Sequence, residues 1–201
     1  MKPAGVILAA GQSSRMGSDK ALLPYAGSTF LDHAVDLFLR HVAPVIVVLG
    51  RHADQIRAAL PDRAGLVVVV NERWAAGQLS SLQAGLRALP AEAPGALVTL
   101  VDHPAVAEST VYAMAARCDA PLAIPRYQGR RGHPVWFGRR IVEEILALPV
   151  EASAKQVVRA HQNEAVYLDV DDPGVLRDVD TPADYDALLS GGSGAKQEPQ
   201  E

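Results

Sequence analysis

Four stretches of this chain are apolar without alternation, over residues 6–10, 45–49, 66–70 and 96–101. A strand that is apolar on both faces needs cover on both faces. A parallel sheet with helices packed against either side provides it. The segments between these runs read as the helices. Thr29 stands three residues before Asp32, the spacing of a capping box, and Leu31, Ala34, Val35, Phe38 and Leu39 then recur on one face. Further helical stretches cover residues 54–60, run through Ala84, Leu86 and Leu89, begin near Ala107, and span 138–148 and 153–161, the last with Val157 and Val158 inward. Residues 121–125 make another strand, and 164–170 alternates as an edge strand does. The predicted fold is therefore α/β, a three-layer α/β/α Rossmann-like arrangement around a mostly parallel sheet.

A chain of 201 residues suits one substantial domain, taken here as residues 1–189. Residues 190–201 carry no large apolar side chain and are expected to be a disordered tail. The net charge is −4, so no nucleic-acid footprint is expected, and phosphate binding must come from local geometry and a few placed cations. No stretch approaches a membrane span or a signal-peptide cleavage region, which gives a cytoplasmic expectation without membrane contact. The single Cys118 excludes an internal disulfide and reads as a small buried apolar residue.

The first apolar run breaks into a loop containing Gly11, Ser13, Ser14 and Gly17, and this loop carries Arg15 and Lys20. Glycine lets backbone N–H groups approach an anion, and the two cations can neutralise a polyphosphate. No Gly-Lys-Ser/Thr closes the loop and the three-glycine dinucleotide spacing is missing, so neither of those phosphate motifs applies. Alone, the segment could equally be a strand-to-helix turn with two solvated basic residues. Gly77 precedes Ser80 and Ser81 at the start of a helix, where free N–H groups could hold a ligand oxygen or a serine could simply cap the helix. Asp102 ends a buried strand just before Pro104, at the sheet edge where open α/β sheets bind ligands. A carboxylate beside phosphates suggests Mg²⁺, while capping of the helix near Ala107 is the plain alternative.

Residues 126–137 read as a hairpin with Arg126, Arg130 and Arg131, a glycine turn, and Tyr127 and Trp136 interleaved. In an acidic chain this basic cluster suits an anionic, ring-bearing acceptor, or it is a solvated surface. His133 could orient an acceptor phosphate or brace the turn. Near the end, Thr181 as N-cap, Pro182 at the first helical position and Asp184 at capping-box spacing account for themselves, but Asp180 is left over.

The ordered run Leu8-Ala9-Ala10-Gly11-x-Ser13-x-Arg15-Met16-Gly17-x-x-Lys20, continued by Leu22-Leu23-Pro24, resembles the signature loop of the MobA-like NTP transferase family, which modifies molybdenum cofactor with a cytidylyl or guanylyl group. The resemblance extends in order through Gly77-x-x-Ser80-Ser81-Leu82, Asp102-x-Pro104, Arg131-Gly132-His133-Pro134-Val135 and Asp178-Val179-Asp180-Thr181-Pro182. It implies the nucleotide-diphospho-sugar transferase type of fold. It further implies NTP binding by Leu8, Ala9, Ala10, Gly11, Arg15, Lys20, Gly77, Ser80 and Ser81, with Arg15 and Lys20 catalytic. Asp102 and Asp180 would hold Mg²⁺, and Arg131, His133 and Lys155 would hold a phosphate-bearing acceptor such as molybdopterin. Ala10, where guanylyl members tend to have Gly, narrows the base pocket toward CTP. The chain departs from the family at Ala76-Gly77-Gln78 (Gly-Gly-Met), at His103 (Gln) and at Ser153-Ala154-Lys155 (Gly-Ala-Arg). A molybdoenzyme or its chaperone would be a possible partner. Sugar phosphates or isoprenoid precursors are competing acceptors, and a non-catalytic nucleotide-binding module is a competing function.

Overall fold

The computed structural model describes residues 3–11 and 16–191. Its strands are β1 (Ala4–Ala9), β2 (Pro24–Tyr25), β3 (Ser28–Thr29), β4 (Val45–Leu49), β5 (Leu66–Val70), β6 (Gly95–Leu100), β7 (Leu122–Tyr127), β8 (Arg130–Arg131), β9 (Val135–Gly138) and β10 (Val166–Asp169). Its helices are α1 (Phe30–Leu39), α2 (Ala53–Ala59), α3 (Gln78–Arg87), α4 (Glu108–Ala115), α5 (Arg139–Ala147), α6 (Ala154–Ala160) and α7 (Pro182–Leu189). The main sheet runs β10-β7-β9-β6-β1-β4-β5, with β8 paired to β7. All neighbours are parallel except β9, which is antiparallel to both β6 and β7, and the short β7–β8 hairpin.

Two apolar layers sandwich the sheet, as the unbroken apolar runs predict. Ile7, Val45 and Val47 face one layer with Phe30, Val35 and Phe38 of α1 and Val111 and Met114 of α4. Val6, Leu8, Ile46 and Val48 face the other with Leu82 and Leu86 of α3 and Ile141 and Ile145 of α5. Helix α3 lies close on the sheet because Gly85 has no side chain: a Cβ there would stand 2.7 Å from Val6 and 2.8 Å from Val48. The capping box read from the sequence forms reciprocally at Thr181 with Asp184, whereas at Thr29 only half of it forms, the Thr29 hydroxyl accepting from the Asp32 N–H.

Three features differ from the sequence reading. The run in β5 is all apolar yet forms an open edge, with Val67 41% and Val70 48% exposed. The hairpin predicted over 126–137 is divided. Gln128 and Gly129, both at positive φ, close the two-residue β7–β8 turn, whereas residues from Val135 insert between β6 and β7. Trp136 is thereby fully buried, with its indole N–H donating to the Ala120 carbonyl, and cannot serve as a ligand-facing aromatic. Cys118 is only partly buried. Ser190 and Gly191 close α7, and the expected tail beyond them lies outside the described residues. Among the described residues, no helix is long and apolar enough to cross a membrane.

Candidate active site

In this sheet the chain passes from β1 to β4 on one side and returns through β6 on the other, so β1 and β6 flank the switch point where a crevice opens. Residues 10–11 leave the end of β1, and Asp102 follows β6. A cavity of about 530 Å³ opens there, lined by Leu8, Ala9, Ala10, Gly11, Lys20, Gly77, Ser81, Asp102 and Asp180. A second cavity of about 730 Å³ adjoins it and shares Leu8, Gln78 and Leu100. Arg130, Arg131, His133 and Lys155 line this second cavity. The sequence-predicted site residues thus sort into two connected chambers. Ser80 lines neither, and Arg15 lies outside the described residues.

Lys20 opens a short 3-10 turn (Lys20–Leu22) and reaches across the crevice. Its Nζ donates to Asp180 Oδ1 at 2.6 Å and to Asp102 Oδ2 at 3.3 Å. The three side chains are only 12%, 18% and 21% exposed, respectively for Lys20, Asp180 and Asp102, so this pairing is screened little by solvent. The two acidic residues are laced together through the backbone, because the Val179 N–H donates to the Asp102 carbonyl at 2.9 Å. On its other side, Asp102 Oδ1 accepts from His103 Nδ1 at 2.9 Å. Burial raises the Asp102 carboxyl, but the bond and charge of His103, with those of Lys20, outweigh it and hold the group at about 2. Asp102 is an anion at neutral pH.

The alternative for Asp102, capping the helix near Ala107, is not what the structure contains. Buried Asp172 does that work: it accepts from the Ala107 N–H at 2.9 Å, from the Thr110 hydroxyl at 2.7 Å and from the Gly174 N–H at 2.9 Å. Nothing local in the sequence marks this cap, since Asp172 acts across 65 residues on the start of α4.

The serine pair divides in a similar way. Gly77, at φ 108°, is the N-cap of α3, so neither serine caps the helix. The buried Asn71 amide donates to Ser80 Oγ at 2.9 Å and to Ser81 Oγ at 3.0 Å. Ser80 already shares its proton between the carbonyls of Arg73 and Gly77 and has no hydrogen left to donate to a ligand. Ser81 accepts from Asn71 and lines the cavity, which leaves its hydroxyl hydrogen to donate outward. For Asn71, sequence reasoning gives the ligand-binding edge of the sheet but misses the bonds to both serines. Its position at the C-terminal end of β5 was the available signal.

Arg131, on the wall of the second chamber, lies 4.9 Å over the Tyr167 ring of β10, and Arg126 lies 5.0 Å over the same ring; neither Arg126 nor Tyr167 lines the chamber. Arg126 also forms a bidentate pair with Asp169. His133 packs edge-on against His103 with centroids 4.8 Å apart, and its Nδ1 is buried without a partner. Burial, followed by the charge of His103, pushes its pKa down to about 4. His133 therefore brings no positive charge to an acceptor at neutral pH; Arg130, Arg131 and Lys155 carry the charge on this wall.

The donor set suits a divalent ion. Asp102 and Asp180 converge on one position that the Lys20 ammonium now fills, and both offer the hard oxygens that Mg²⁺ or Mn²⁺ prefers. Among the described residues no group of three or more His, Cys, Asp or Glu side chains forms a self-sufficient metal cage. Two carboxylates alone would leave the other oxygens around a bound ion to substrate and water.

The crevice thus lies at the switch point of the sheet and sets Lys20 between Asp102 and Asp180. The chain belongs to the family of the MobA-like NTP transferase domain, whose model matches residues 5–166. It is similar to the molybdenum cofactor cytidylyltransferase of Escherichia coli K12, 24% identical with 90% of this chain and 92% of the relative covered. The purine catabolism protein PucB of Bacillus subtilis 168 is 30% identical, with 92% and 94% covered. Among solved structures, the complex of Mycobacterium tuberculosis Rv0371c with manganese superposes with a TM-score of 0.79 at 31% identity, covering 94% of this chain and 99% of that one.

Proposed function

We propose that this nucleotidyltransferase moves CMP from CTP onto the terminal phosphate of molybdopterin cofactor and releases pyrophosphate, with Mg²⁺ bound between Asp102 and Asp180. The observation that carries the proposal is the junction of the two chambers. Two carboxylates that share the Lys20 ammonium lie in one, and an arginine- and lysine-lined wall lies in the other, with Leu8, Gln78 and Leu100 common to both. An NTP in the first chamber and a phosphorylated acceptor in the second would meet at this seam.

In the proposed step an acceptor phosphate oxygen attacks the α-phosphorus of CTP. A new P–O bond forms, the bond to the bridging α–β oxygen breaks, and its electron pair leaves on pyrophosphate. Phosphoryl transfer of this kind depends chiefly on positioning and charge stabilisation. Lys20 turns from the carboxylates toward the phosphates, and Arg15 is proposed to join it. The Ser81 hydroxyl donates to the nucleotide beside the free N–H groups at the start of α3. A bound divalent ion would neutralise the phosphate charge and hold the α-phosphate in line. The Ala10 methyl on the chamber wall supports a pyrimidine base, and the relative named as a cytidylyltransferase supports the same choice. Arg131 and Lys155 take the acceptor phosphate, while apolar Phe137 and Val158 can face a planar ring system.

The test is pyrophosphate release with Mg²⁺, offering CTP, GTP, ATP and UTP in turn with molybdopterin and with a panel of sugar phosphates. Release that requires CTP and the pterin is the expected result. Release only with another acceptor discards the molybdopterin assignment, and NTP binding without release from any pair discards turnover.

A further inference from the structure

Asp19 poses an electrostatic problem: a carboxylate 9% exposed stands on the wall of a chamber that is read as holding a triphosphate. Left unpaired, it would repel the ligand. Asp19 is also the N-cap of the turn that carries Lys20. Its Oδ1 accepts from the Ala21 N–H at 3.1 Å, and its carbonyl accepts from the Leu22 N–H at 3.1 Å. A three-residue turn has too few internal bonds to fix its own orientation, so what holds Asp19 also aims Lys20.

His52 holds it. The His52 Nδ1 lies 2.9 Å from Asp19 Oδ2, and since an ionised carboxylate only accepts, the imidazole is the donor. His52 is itself anchored at the start of α2, where its carbonyl accepts from the Ile56 N–H at 3.0 Å. The contact thus joins α2 to the Lys20 turn across 33 residues, and it engages the Asp19 oxygen that the turn leaves over.

We infer that His52 is a positioning residue for polyphosphate binding: through Asp19 it fixes the Lys20 turn and offsets the one carboxylate on the chamber wall not directed at the cation position. The inference rests on the nucleotide reading of the first chamber. His52 itself, 40% exposed on its side chain, does not line that chamber.

The experiment is calorimetric titration of the full chain with CTP, and separately with pyrophosphate, both in Mg²⁺, for wild type, His52→Ala, His52→Asn and Lys20→Ala, each checked by thermal melting. Loosening the Lys20 turn and unmasking Asp19 toward the phosphates predicts about tenfold weaker binding of both ligands by His52→Ala, while loss of the half-exposed bond itself lowers the melting temperature by only about 2–4 °C. His52→Asn, whose amide can replace the donating Nδ1, is expected within about threefold of wild type. Wild-type affinity in His52→Ala overturns the inference, as does an equal loss in both His52 variants, which would mean that the ring only fills space. If Lys20→Ala binds weakly while His52→Ala binds normally, the inference alone falls. If Lys20→Ala binds like wild type, the nucleotide reading of the chamber falls and takes the inference with it.

Discussion

Removing the Lys20 ammonium should destabilise the ligand-free protein and at the same time make it a better binder of bare metal. Lys20 helps hold the Asp102 carboxyl at about 2, against an ordinary 3.8. At about 1.4 kcal/mol per pH unit, the whole depression amounts to about 2 kcal/mol. His103 acts on Asp102 ahead of Lys20, so the lysine's share is about 1 kcal/mol. Its 2.6 Å bond to Asp180 adds about 1–2 kcal/mol, toward the low end for a charged bond because both side chains keep some solvent contact. The expected loss in Lys20→Ala is about 2–3 kcal/mol, which for a chain of this size lowers the melting temperature by about 4–12 °C. Two facing carboxylates would then remain without their shared cation. Millimolar Mn²⁺ should restore most of the lost stability in the variant while shifting wild type little, because in wild type the metal competes with the ammonium. The assay is thermal melting by circular dichroism with and without Mn²⁺, in the absence of nucleotide. A variant that melts like wild type, or equal stabilisation of both proteins by Mn²⁺, would refute the view that Lys20 occupies the cation position.

Other predictions concern the serine pair and the response to acid. Ser80→Ala should lower stability by about 1–2 kcal/mol, because it removes the hydroxyl that ties the Asn71 amide to the Arg73 and Gly77 carbonyls, whereas Ser81→Ala removes one Asn71 contact alone and should mainly raise the KM for NTP. Urea midpoints and steady-state kinetics on the two variants separate these effects, and a reversed pattern would show that the hydroxyls have been assigned the wrong way round. His133 sets a pH dependence: below 6.5 the unfolded chain takes up a proton that the folded chain refuses until about 4. Stability therefore falls as pH drops through that window, by about 3 kcal/mol in all. Urea midpoints should show this fall in wild type and a smaller one in His133→Gln; identical slopes would contradict it. Asp102 acts lower, its contribution complete above about 4 and lost toward about 2.

Much of the fold was legible because its signals are local. Residues 45–49 can hardly be anything but a covered strand, and the N-cap at Thr29 and the capping box at Thr181 are written within four residues. Of the candidate site, Lys20, Asp102 and Asp180 could be singled out because each stands in a short contiguous motif. What stayed hidden depends on partners distant in the chain. The insertion of Val135–Gly138 between β6 and β7 cannot be seen in a segment that reads equally well as one side of a hairpin. Nor does the run over residues 66–70 say that it lies at an edge, because strand order is a property of the whole sheet. Asp172, Asn71 and Tyr167 share this character: each acts on a group brought near by the fold, and a polar residue in a loop does not announce which helix or side chain it will meet.

The most direct test of the account is a crystal structure of the full chain soaked with Mn²⁺ and CTP, with the metal located by its anomalous signal. The account predicts a peak between Asp102 Oδ2 and Asp180 Oδ1, with Lys20 Nζ moved from the carboxylates to the phosphates. A peak away from both carboxylates, or Lys20 still bridging them beside a bound nucleotide, would contradict it.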